Sequence, residues 1–170
     1  MSEQIKKKSG FRWLVLPLIF CIYMIAGADR SNIGMDVPYI QESFHMSITD
    51  IGAMASFFYI TYAVVQIPSG HLYGKRGVRK LYSLSIVLTS LATFIMGFAN
   101  SALHLKFARA LLGFSEGPIN IGSLTTINRW FPAREKGIAT GVFMASIKFA
   151  PAFVPPVCAW IIMMYGGREV

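Results

Sequence analysis

The chain has 170 residues, of which 54% are hydrophobic and 14% charged, and its formal net charge is +8. That balance, with a mean hydropathy of +0.52, excludes a disordered, collagen-like or ordinary soluble chain and points to life in a bilayer. The positive charge does not read as a nucleic-acid surface, because eleven of the 16 Lys and Arg fall in three short segments between long apolar runs: Lys6, Lys7, Lys8 and Arg12; Lys75, Arg76, Arg79 and Lys80; Arg129, Arg134 and Lys136.

A helix needs about 20 apolar residues to cross the hydrocarbon core. Residues 1–12 read as a cytoplasmic tail, and residues 13–165 as a membrane bundle with spans at about 11–35, 51–72, 81–99, 103–127 and 137–165. Residues 166–170 read as a truncated external end. The basic segments set the expected topology. The N-terminus is inside, residues 36–50 form an external connection, and residues 71–80 and 129–136 are cytoplasmic. Lys6–Lys8, an apolar run and Ala26-Gly27-Ala28 also resemble a cleavable signal peptide. Four further spans and a consistent inside-positive count favour an uncleaved first helix.

An ionised side chain is costly inside a bilayer, so each one in a span asks for an explanation. Asp29-Arg30 ends the apolar run of the first span, either as an interfacial ion pair or as a pair lining a cavity. In the fourth span Arg109 and Glu116 lie seven residues apart on one helical face, and Asn120 continues it. That stripe faces the bundle interior or water, either as a working site or as a clamp between helices. Lys106 lies near the external end, where it can snorkel. Gly113 and Gly117, and Gly137 and Gly141, are spaced for close helix approach. Pro151, Pro155 and Pro156 are expected to kink or break the fifth span, whose middle carries Lys148. Cys21 and Cys158 read as small buried hydrophobes, and His45, His71 and His104 as surface residues. No metal-ligand spacing, phosphate loop or nucleophile elbow is present, so neither an enzyme nor a cofactor is expected.

Several segments carry a resemblance. Gly70-His71-Leu72-Tyr73-Gly74-Lys75-Arg76-Gly77-Val78-Arg79-Lys80 resembles the cytoplasmic loop motif between helices 2 and 3 of the major facilitator superfamily. Arg109-x-x-x-Gly113-x-x-Glu116-Gly117 resembles that superfamily's helix 4 motif. Asp29-Arg30-Ser31-Asn32-Ile33-Gly34, Tyr62, Gln66-Ile67-Pro68-Ser69-Gly70 and Arg129-Trp130-Phe131-Pro132 resemble its anion:cation symporter branch, which includes proton-coupled hexuronate, galactonate and glucarate transporters. The resemblance implies a proton symporter for small organic anions. Asp29 and Glu116 would handle protons, and Arg30 and Arg109 would hold carboxylate. Tyr62 would contact substrate, with Gln66 as a weaker candidate. Asn120 and Lys148 join the substrate candidates from the stripe and from the odd charge in the fifth span. The chain departs from the pattern at Gly74, where the motif has an acidic residue, at Lys148, where it has a small one, and at Gly166-Gly167-Arg168, where it reads Gly-Trp-Arg. Lys148 could supply a second cation for a dianion, or spoil packing.

The expected fold class is an all-α membrane protein, five transmembrane helices of an incomplete N-terminal six-helix bundle. The superfamily fold has twelve helices in two six-helix halves, so the expected partners are a small organic anion, protons, the lipid bilayer and a missing C-terminal half, with no nucleic acid. The expected location is a bacterial inner membrane. On this reading the chain comes from a truncated or split gene, or is a fragment, and does not transport alone. The alternative is a stand-alone small membrane protein with a binding or assembly role.

Overall fold

The computed structural model describes residues 12–165. The tail lysines Lys6–Lys8 and the Gly166-Gly167-Arg168 end lie outside the described residues, as does the side chain of Cys158. Five helices follow one another: α1 (Arg12–Phe44), α2 (Ile48–Arg76), α3 (Val78–Gly97), α4 (Ala102–Trp130) and α5 (Ala133–Tyr165). Among the described residues, α1, α2, α3 and α5 each contain a stretch long and apolar enough to cross a membrane. α4 is as long as α2 at 29 residues but carries the charged stripe, and it does not meet the same standard.

The helices run further than the apolar spans. α1 continues through residues 36–44, which the sequence reads as an external connection. The reason is tertiary packing, since Ile40 and Phe44 lie against a buried cluster of Met46, Met54 and Leu105. α2 and α3 are separated only by Gly77, whose φ of 79° few other residues tolerate. α5 is continuous through Pro151, Pro155 and Pro156, so the expected break is absent.

The chain divides into two units, Met1–Ser31 with Ser123–Val170, and Asn32–Gly122. In the first unit α1 and α5 run parallel in nearly constant register. Arg12 pairs with Glu135 at 2.9 Å, the rings of Tyr23 and Phe143 meet edge to face at 4.7 Å, and Gly27 abuts Ala150. Trp13 meets Phe131 and Phe20 meets Phe149 in the same manner.

In the second unit α2 and α4 also run parallel. Lys106 of α4 pairs with Asp50 of α2 at 2.6 Å. Asp50 is at the same time the third residue of a capping box with Ser47, so one carboxylate oxygen caps α2 and the other holds α4. Lys106 is therefore an ion-pair partner and not merely a snorkelling end. Further along, Gly113 seats on the Phe58 carbonyl and Gly117 on the Tyr62 carbonyl. α3 contributes a narrow buried stripe of Ser85, Thr89 and Ala92. Gly137 and Gly141 in α5 face open space, so only the first of the two expected glycine pairs is a contact.

Three buried serines bond within their own helices. Ser69, Ser115 and Ser146 donate to the carbonyls of Val65, Leu112 and Phe143 in their own helices. Cys21 is a free cysteine and is exposed, contrary to the buried reading, because it stands on the side of α1 turned away from the Leu16, Ile19 and Tyr23 stripe.

Candidate substrate and proton site

In the second unit the charged stripe of α4 is buried. Arg109 is 3% exposed and Glu116 0%. They lie roughly 10 Å apart along the axis, the rise of two helical turns. What draws this stripe inward is the glycine spacing beside it. A methyl group at Gly117 would sit 2.8 Å from the Tyr62 carbonyl oxygen and against Val65. Without such side chains the α4 backbone closes onto α2, and the residues adjoining the glycines lose access to the outside. Tyr62 is half-buried and its ring stacks on that of Phe58 at 5.8 Å. Gln66 and Asn120 are half-buried. Backbone contact at Gly117 thus brings Tyr62 and Glu116 to one level of the α2/α4 pair.

In the first unit Asp29 and Arg30 are half-buried on α1. The Arg30 guanidinium lies 5.4 Å from the centroid of the buried Tyr23 ring, two turns earlier on the same helix. A cation over an aromatic face is held in orientation as well as stabilised. Tyr23 is itself fixed by Phe143 of α5. Sequence reasoning passed over Tyr23, although its spacing of seven from Arg30 was a signal. Lys148 is exposed. The buried stripe of α5 is Ala139, Phe143, Ser146 and Ala150, and helical geometry puts Lys148 on the opposite side. It does not join Arg30 through the packing of α5 on α1. His45, His71 and His104 are exposed, as expected of surface residues.

In the second unit α4 sets a buried Arg and Glu beside a glycine seam, and in the first unit α1 carries an Arg held over an aromatic ring. The family model described as Major Facilitator Superfamily matches residues 19–170. The chain belongs to the major facilitator superfamily. Among similar proteins is a probable galactarate/D-glucarate transporter of Escherichia coli, 31% identical over 173 residues, with 97% of this chain and 39% of the relative covered. A D-galactonate transporter of Escherichia coli is 32% identical over 150 residues, covering 88% of this chain and 35% of the relative. A probable sulfoacetate transporter of Cupriavidus necator is 31% identical over 164 residues, covering 96% and 38%. The chain spans less than two fifths of the length of these relatives. Membership makes the apolar helices those of a multi-pass membrane protein. This superfamily is one of transporters, in line with the expectation that the chain is not an enzyme.

Proposed function

We propose that the chain is the N-terminal portion of a secondary transporter that moves sugar acids such as galactarate, D-glucarate, galactonate or hexuronates by proton symport. What carries the reading is the burial of Arg109 and Glu116 on one face of α4, in a chain similar to relatives named for sugar-acid transport. Arg109 and Arg30 hold carboxylate. Glu116 and Asp29 take up and release protons, because a buried carboxylate is cheap when protonated and costly when ionised. Tyr62, Gln66 and Asn120 hold hydroxyls, and Lys148 meets a second anionic group. The N-terminus, the end of α2 at Arg76 and the start of α5 at Arg134 face the cytoplasm by the Lys/Arg rule, across a bacterial inner membrane. Alternating access needs two halves that rock about a midplane site. The 170 residues alone are therefore expected not to transport.

The test joins this chain to the C-terminal part of the Escherichia coli galactarate/D-glucarate relative that it does not span. In proteoliposomes an inward proton gradient is expected to drive saturable D-glucarate uptake by the joined protein and none by the 170-residue chain. Uptake by the short chain alone, or a joined protein that binds no sugar acid, contradicts the reading.

A further inference from the structure

The turn of α4 that follows Glu116 also carries a proline. Pro118 lies inside the helix and has no N–H, so the Phe114 carbonyl loses its usual intrahelical donor and is crowded by the proline ring. The helix runs on unbroken through Pro118, so the loss is confined to that one carbonyl. A directional bond from a neighbouring helix falls one turn further on, at the carbonyl of Pro118 itself. Tyr73, near the C-terminal end of α2, is 1% exposed, and its hydroxyl donates to the Pro118 carbonyl at 2.9 Å.

One further residue makes room for that bond. A methyl group at Gly122, one turn beyond Pro118, would lie 2.6 Å from the Tyr73 hydroxyl oxygen and would run into the Tyr82 ring. Tyr73 and Tyr82 stand on either side of Gly77, where α2 ends and α3 begins. Gly113 and Gly117 bring α4 against α2 by shape alone, whereas the Tyr73 hydroxyl adds a bond with a direction to the same helix pair. It reaches two residues past Glu116.

We propose that the Tyr73 hydroxyl, through its bond to the Pro118 carbonyl, keeps α4 closed around Glu116, and that Gly122 is the clearance this bond requires. Tyr73 is thus a positioning residue, acting on Glu116 through the backbone of α4. The inference takes Glu116 as the working carboxylate from the reading above, but its test needs no transport.

The test follows the reaction of Glu116 with a hydrophobic carbodiimide. The full 170-residue chain is placed in nanodiscs at one fixed pH, and labelling is read by peptide mass spectrometry. Glu116→Gln removes the label and identifies the site. Tyr73→Phe is expected to speed labelling about fivefold, the factor by which losing one net hydrogen bond favours a local opening. Gly122→Ala pushes the hydroxyl off its acceptor and is expected to speed labelling similarly. The double variant is expected to be no faster than the faster single one, since both act on one bond. A merely structural role lowers the unfolding temperature and leaves labelling of the folded protein unchanged. That result in Tyr73→Phe overturns the proposal, whatever becomes of Gly122→Ala. Effects that multiply in the double variant overturn it as well.

Discussion

The α1/α5 pair and the α2/α4 pair solve the same problem differently. Both are parallel, and both carry an ion pair toward their N-terminal ends, Arg12 with Glu135 and Asp50 with Lys106. Between α1 and α5 the spacing is set by rings, Tyr23 on Phe143 and Phe20 on Phe149, with Trp13 on Phe131 just before α5 and one close approach at Gly27. Between α2 and α4 it is set by glycines seated on carbonyl oxygens. The consequence is visible in the charged residues. Where glycines let the backbones close, Arg109 and Glu116 are buried, and where rings fill the interface, Asp29 and Arg30 keep part of their surface. Glycine placement on α4 decides how dry its carboxylate is.

Glycine substitutions break this comparison most strongly. Gly117→Ala pushes a methyl group into a backbone carbonyl that cannot step aside, and is expected to cost about 3 kcal/mol in denaturant titration of the detergent-solubilised chain. Gly27→Ala sets its methyl 2.7 Å from the Cβ of Ala150, which is fixed to the α5 backbone, and is expected to cost less, about 1–2 kcal/mol. Gly137→Ala enters open space and is expected to stabilise by about 0.5–1 kcal/mol. Equal costs at Gly117 and Gly27 would mean that the two interfaces do not differ as described. A smaller effect separates the ligand roles. In the joined protein Lys148→Met is expected to raise KM about tenfold for dicarboxylates such as D-glucarate and to leave galactonate unchanged, the loss of one charge-assisted hydrogen bond. Smallest is Arg12→Gln. Its ion pair is partly exposed, with side-chain exposures of 17% and 28%. The cost is expected to stay below about 1 kcal/mol in the same titration and to shrink in high salt.

Much of this was legible in the residues. The inward stripe of Arg109, Glu116 and Asn120 follows from helical spacing and from the cost of charge in lipid, and the Gly113/Gly117 seam from close-approach spacing. The extension of α1 to Phe44 was not, because hydropathy marks what crosses a membrane and not where a helix stops. The burial that holds residues 36–44 in helix comes from Met46, Met54 and Leu105, which a linear pattern does not bring together. Cys21 was misplaced because a helix apolar all round gives no clue to its packed side. The Asp50–Lys106 pair and the Tyr73–Pro118 bond join residues 56 and 45 apart, beyond any local periodicity. Gly137 and Gly141 show the converse, since their spacing permits a close approach that α5 does not make.

The account stands or falls on Glu116 as the carboxylate that couples anion to proton. On the proposed function, a substrate carboxylate that engages Arg109 takes up the opposite charge on Glu116's face of α4, and anion and proton binding are expected to be linked reciprocally. The direct measurement compares two assays of Glu116→Gln in the joined protein reconstituted in vesicles. One is exchange of external for internal D-glucarate without a gradient, and the other is accumulation driven by a proton gradient. The prediction is that exchange persists near the parent rate while proton-driven accumulation disappears. A variant that still accumulates D-glucarate against its gradient, or that loses exchange because it no longer folds, would show Glu116 to be a structural clamp and not the coupling residue.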